Sequence, residues 1–327
     1  MKRREFITLL GYATASPLAA RAQQGERMRR VGVLVPFGES DPVLRTRVTV
    51  FRDALAELGW VEGRNLRIDY GWAGDAGKLP GYAAELIAVM PDAIFVIGPE
   101  AAAALQRATR TVPIVFANIS DPIGAGLIST LTQPGGNITG FASQEVALGA
   151  KRLELLKQIA PHVTRVACIS DPSTPTWPGF FAEVEAAAPS LGLIVSAAPI
   201  RDVADIEATI DAFAREPNGG LIVLTSQAVV AHRDRIIALA IRHRLPAVYG
   251  FQYFVAAGGL ASYGVDPIEF SRGAASYVDR ILKGEVPGTL PIQFATKYKL
   301  VINLKTAKVL GLDPPVYLLA RTDEVIE

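Results

Sequence analysis

From residue 30 onward, short β-branched runs alternate with segments of helical period almost to the C-terminus, and this alternation constrains the fold more than any other feature. Strands separated by crossover helices build parallel sheets rather than a sandwich. Arg30 to Val35 is nearly all apolar, as a strand buried on both faces must be. A loop from Pro36 to Pro42 follows. Val48, Phe51, Leu55 and Leu58 then recur at helical spacing, with Gly59 placed to end the helix. The unit repeats as strand Leu66 to Tyr70, helix Pro80 to Met90, strand Ala93 to Ile97, helix Ala101 to Thr109 and strand Pro113 to Ala117.

Pro134-Gly135-Gly136-Asn137 is the strongest turn cluster, and strand Ile138 to Phe141 after it leads into a fresh helix, Leu148 to Ala160. A second series begins there. Its strands are Val166 to Ser170, Leu193 to Ala197, Leu221 to Thr225, Ala247 to Tyr249 and Leu260 to Tyr263, separated by helices Phe180 to Leu191, Val203 to Arg215 and His232 to His243. The tail adds helix Ile268 to Leu282, an extended stretch from Pro291 to Asn303 and a short helix before Pro314-Pro315. Such returning segments suit a hinge crossed several times. The predicted fold class is α/β, with two Rossmann-like lobes, each carrying a parallel sheet, joined by a multi-strand hinge. Lobe 1 spans 29–142 plus 264–288, and lobe 2 spans 143–263 plus 289–327. Each lobe is close to the roughly 150 residues of an ordinary domain.

Residues 1–22 read as a signal peptide: Lys2, Arg3 and Arg4 charge its start, Phe6 to Ala20 is mostly apolar, and Ala20-Arg21-Ala22 offers an A-x-A cleavage site. Arg3-Arg4 before Glu5, Phe6 and Ile7 resembles the twin-arginine signature, and arginine pairs also occur in ordinary Sec signals, so periplasmic export is the expectation with either route open. The apolar run is too short to span a bilayer and is broken by Gly11, Ser16 and Pro17. With no cysteine near the cleavage site, no lipid anchor is indicated, and no stable membrane insertion is expected after cleavage. The whole chain carries +1, and the leader sets Lys2, Arg3, Arg4 and Arg21 against Glu5, so the remainder is near −2. Scattered, nearly balanced charge offers no stripe for nucleic acid. Cys168 lies in an apolar run and reads as a buried strand thiol.

In open α/β sheets, the loops at the carboxyl ends of the strands converge on a crevice, which turns the strand order into a set of ligand-binding candidates. On lobe 1 these are Glu39 and Ser40, then Gly98, Pro99 and Glu100, then Asn118, Ser120 and Asp121. On lobe 2 they are Asp171, Ser173 and Thr174, then Ser226 and Gln227, then Phe251 and Tyr253. Each Ser, Thr or Asp reads equally as a helix N-cap or turn residue. Helices starting just beyond these loops would turn free N–H groups to the cleft and favour a carboxylate or phosphate. Tyr249, Phe251, Tyr253 and Tyr263 offer rings either to a flat ligand or to the core.

Motifs for other chemistry are missing. His162, His232 and His243 sit in no metal-ligand or nucleophile-elbow spacing, and neither G-x-G-x-x-G nor a P-loop follows a strand. No cofactor is expected. A carboxylate pair such as Glu100 and Asp171 keeps acid/base enzymology open as a lesser alternative.

The segments LGWVEGRNLRIDY (58–70), ALQRATRTVPIVF (104–116), SDPIGAGLISTL (120–131), PGGNITGF (134–141), AAGGLASYG (256–264), LVINLKTAKVLGL (300–312) and LLARTDEVIE (318–327) make the chain resemble ABC transporter substrate-binding proteins related to the tryptophan/tyrosine-binding type. That resemblance implies the type I periplasmic-binding-protein fold, hinge closure on a small molecule, and partnership with an ABC permease and its ATPase. By the same resemblance, the loops at 98–100, 120–121, 171–174 and 226–227 line the pocket. A ligand-sensing subunit that reports to a membrane receptor would share every one of these features. Two departures bear on the ligand. Gly98-Pro99-Glu100 replaces the Gly-Thr-Pro or Gly-Ser-Pro of relatives, removing a hydroxyl, and Asp171-Pro172 replaces Asn-Pro, adding negative charge.

Overall fold

The structure, a computed structural model, describes residues 27–143, 146–174 and 176–327, and the signal-peptide segment lies outside the described residues. Its first sheet contains β1 (Arg29–Val35), β2 (Leu66–Trp72), β3 (Ala93–Ile97), β4 (Ile114–Ile119) and β5 (Ile138–Ala142), all parallel. They lie in the order β5-β4-β3-β1-β2. The central β3 is buried along its whole length, which is why it reads as an unbroken apolar run. Between the strands run α1 (Pro42–Glu57), α2 (Leu79–Ala88) and α3 (Pro99–Ala108).

Helix α1 starts six residues before the first predicted helical position. The Asp41 carboxylate accepts hydrogen bonds from Val43 N and Leu44 N, and Pro42 occupies the first turn, where its missing N–H costs nothing. The helix buries Leu44, Arg47, Val48, Phe51 and Leu55, and the Phe51 ring stacks on Phe95 of β3 with centroids 4.2 Å apart. Burying a side chain such as Phe51 contributes roughly 1.5–3 kcal/mol.

The second half begins with α4 (Gly149–Ile159) and continues through β6 (Arg165–Ser170), α5 (Trp177–Ala187), β7 (Ile194–Pro199), α6 (Val203–Phe213) and β8 (Gly219–Val223). Two helices, α7 (Gln227–Ala231) and α8 (Arg233–Arg242), precede β9 (Ala247–Tyr249), and α9 (Gln252–Ala256) precedes β10 (Ala261–Val265). Then α10 (Pro267–Leu282) packs on α1. The chain ends with β11 (Gln293–Phe294), β12 (Tyr298–Asn303), α11 (Leu304–Leu310), α12 (Val316–Leu319) and β13 (Glu324–Ile326). The second sheet runs β13-β12-β10-β9-β8-β6-β7. All its pairs are parallel except β10 with β12, where the returning chain enters the sheet in reverse.

Thus the chain passes between sheets after β5, after β10 and after β11. The last passage falls later than residue 289, the boundary drawn from sequence. β11 extends the first sheet by pairing with β5, and Thr139 Oγ1 and Tyr277 Oη donate to the carbonyls of Leu290 (2.7 Å) and Pro291 (2.6 Å), holding this stretch on the first half.

At Gly264 on β10 an added Cβ would sit 1.9 Å from the Gly250 carbonyl oxygen, so the backbone after β9 approaches as closely as it does only because no side chain intervenes. Gly264→Ala is therefore expected to destabilise the fold by about 1–3 kcal/mol, measured by urea denaturation. An unchanged midpoint would show that the approach is not tight.

Candidate functional site

Both sheets direct their strand-end loops at one cavity of about 110 Å³, walled by residues of both halves. A single water needs roughly 10–15 Å³, so the space suits a small organic molecule in place of a cluster of waters. From the first half come Pro36 and Phe37 after β1, Asp41 capping α1, Leu44 and Arg47 on α1, Gly98, Pro99 and Glu100 around the start of α3, and Asn118, Ser120 and Asp121 at the end of β4 and just beyond it. From the second come Thr174 and Thr176 after β6, Thr225, Ser226 and Gln227 after β8, and Phe251 and Tyr253 after β9.

Four residues expected here lie elsewhere. Glu39 and Ser40 are exposed in the turn before α1 and do not line this cavity. Asp171 is folded into its own turn, accepting from both the backbone N (2.8 Å) and the hydroxyl (2.7 Å) of Ser173, and neither residue lines this cavity. Ser173 instead borders a neighbouring hollow of about 340 Å³ beside α2 and α3. Of the four aromatic residues, Phe251 and Tyr253 line the cavity, stacked on each other at 5.4 Å. Tyr249 is core, stacked on Phe254 at 5.0 Å, and Tyr263 lies in a different hollow, against Tyr298.

Several wall residues have a local role as well. Ser226 Oγ accepts from Val229 N at 3.2 Å as the N-cap of α7, and Asp121 Oδ1 accepts from Gly124 N at 2.8 Å. Ser120 and Ser143 share a hydroxyl hydrogen bond of 3.0 Å. Asn118 is positioned by a β-bulge: Ala117 pairs with Phe141 and Ile119 with Ala142, which leaves residue 118 as the extra one, in the left-handed region at φ 64°. Asn tolerates that conformation better than most residues. Gly98, at φ 85°, turns the chain into α3 where a side chain would be strained.

Two contacts cross the cavity mouth. Arg233 at the start of α8 donates from Nη1 to Asp41 Oδ2 at 2.7 Å, both side chains being only 16% exposed, and Gln227 Nε2 donates to the Pro36 carbonyl at 3.2 Å. Arg47 lies one residue before the apolar spacing that marks this helix in the sequence, which begins at Val48. Its signal was nonetheless present, since a basic residue at the Leu44, Arg47, Val48, Phe51 spacing stands on the apolar stripe. Burial pushes its guanidinium pKa down to about 10, opposed by the charges of Tyr253 and Asp266. Glu100 is held above the ordinary carboxylate range, chiefly by desolvation and in smaller part by the neighbouring charge of Asp171.

Among the described residues no group of three His, Cys, Asp or Glu is placed to hold a metal ion, and no helix is long and apolar enough to cross a membrane. Cys168 is buried in β6, and desolvation pushes its thiol up to about 12. Two α/β halves with mainly parallel sheets and a shared cavity at their strand ends define the type I periplasmic-binding fold.

Residues 30–326 match the family of ABC transporter substrate binding proteins, and the chain belongs to it. It is 25% identical over 270 residues to the tyrosine-binding protein of Clostridioides difficile (strain R20291), covering 80% of this chain and 75% of that one. At 30% identity it superposes on a conserved domain protein from Vibrio cholerae with a TM-score of 0.84, over 91% of this chain and 100% of the other. The ABC domain from Streptococcus pneumoniae in complex with L-Trp superposes with the same TM-score, 0.84, at 27% identity, over 91% of this chain and 99% of that one.

Because the folded pKa of Glu100 is raised, ionisation there opposes folding. The penalty is absent below its ordinary value of 4.5, grows as pH rises through that value, and is complete above the folded pKa. Glu100→Gln is therefore expected to melt higher than wild type at neutral pH, with the gain shrinking to nothing in acid. Parallel melts across pH check this, and a gain that persists below 4.5 would contradict it.

Proposed function

We propose that the chain is the extracytoplasmic solute-binding component of an ABC importer, which captures a small molecule by closing two lobes about a hinge. The observation that carries this reading is a cavity at the strand ends walled by side chains from both halves. A solute lodged there touches both halves at once, so its binding energy favours the closed arrangement over an open one. The lobes are residues 29–142 with 266–294, and 149–265 with 298–327, joined by three crossings. A permease and its ATPase, supplied by other chains, would receive the closed form. The leader-like residues 1–22 support export to the periplasm, by the twin-arginine or the Sec route.

No covalent step is required, and the relatives are named for what they bind rather than for a reaction. Their tyrosine and L-Trp support an amino-acid-like or aromatic solute, which Phe37, Phe251 and Tyr253 can flank. Thermal-shift screening of the purified chain against amino acids, purines and aromatic acids tests capture. At least one solute should raise the Tm and be recovered chemically unchanged, whereas silence across the panel would count against capture and a converted solute would favour an enzyme.

The Arg233–Asp41 pair favours closure, because it joins one half to the other beside the cavity and is largely shielded from solvent. Arg233→Met is expected to weaken binding of the solute so found by about five- to thirty-fold, the equivalent of about 1–2 kcal/mol, measured by titration calorimetry. An unchanged Kd would remove the pair from the closure mechanism.

A further inference from the structure

Buried polar atoms without hydrogen-bond partners gather in the interlobe cavity. Arg47 Nε and Nη2, Asn118 Oδ1 and Thr225 Oγ1 are all in this state, and all three residues line it. Arg47 is the extreme case. The residue is 5% exposed, yet two of its guanidinium nitrogens donate to nothing. Buried cationic donors without hydrogen-bond acceptors are unfavourable, and native folds rarely keep them to no purpose.

The nearby carboxylates are committed elsewhere. Asp41 is held by Arg233 at 2.7 Å and by the first turn of α1, and Asp266 by Lys299 at 2.9 Å and by Ile268 N at 3.0 Å. Among the described residues lining the cavity, Arg47 is the only Lys or Arg, while Asp41, Glu100 and Asp121 are acidic, and Asp41 is paired with Arg233, which leaves two acids. One cation facing two acids accepts a single negative charge and disfavours a doubly charged phosphate. The planar guanidinium fork fits a planar carboxylate.

We propose that Arg47 is the carboxylate anchor of this cavity, and that the captured solute is a monocarboxylate whose apolar body lies against Phe37, Phe251 and Tyr253. This rests on the solute-capture reading and narrows it to a class of ligand. It also compensates for the hydroxyl absent at Gly98-Pro99-Glu100, since the anchoring group comes from α1 instead of from the loop after β3. Asn118 Oδ1 and Thr225 Oγ1 remain to meet polar groups elsewhere on the solute, one from each half.

The test is calorimetry and thermal shift on the purified chain with phenylacetate, L-tyrosine and L-tryptophan, each set against its amide, with ribose and inorganic phosphate as probes of other classes. At least one carboxylate should bind and its amide should not. Arg47→Met should lower that affinity at least about thirty-fold, with Arg47→Lys in between. Without solute, Arg47→Met should melt at or above wild type, because an apolar chain of similar size replaces a buried charge with unsatisfied donors. The anchor is overturned if acid and amide bind wild type equally, if Arg47→Met keeps wild-type affinity, or if no carboxylate binds. In the last case, binding of ribose or phosphate leaves solute capture standing, and binding of none of the probes removes both.

Discussion

The structure depends on one constraint: parallel strands all end at the same edge, so their polar loops must gather there, and two such edges face each other. Loops that would be well hydrated on a lone domain become partly walled off from water. Charge in that space is paired across the gap, as in Arg233 with Asp41, or buried with unsatisfied donors, as in Arg47. Packing beneath the loops is unyielding. Strand β3 is buried throughout, and Gly264 leaves no room for a side chain against Gly250, so the cavity wall is set by the core and not by the loops alone.

The same economy explains why many wall residues serve twice. Ser226 and Asp121 complete backbone turns with one oxygen and still border the cavity, so reading them as caps and reading them as ligand contacts do not conflict. The two readings separate only at Asp171, Ser173, Glu39 and Ser40, which do not line this space. Arg47 is different in kind, for its Nε and Nη2 are buried with no local hydrogen bond to explain them.

Much of the fold was legible because parallel strands buried on both faces leave an unbroken apolar signature. Ala93 to Ile97 and Ala247 to Tyr249 were read with the boundaries the structure has. Helices α7 and α9 were not, since five residues carry too little periodicity to stand out from a loop; a Ser226 cap and packing of Val230, Phe254 and Val255 create them. The strands β11 and β13 are shorter still, and their pairing is decided by tertiary contacts that no local pattern encodes. The reversed β12 and the late third crossing belong to the same class. In the site, loop positions could be inferred from strand order, but which side of each loop faces inward depends on turn geometry. Arg47 was hidden for a simpler reason: the apolar spacing that marks its helix in the sequence begins one residue later, at Val48.

A crystal structure of the chain with its captured solute tests the central claim most directly. The account predicts the solute between the halves, within hydrogen-bonding distance of at least one group from each, with its charged end on the Arg47 guanidinium. A solute held by one half alone, or bound outside this cavity, would contradict it.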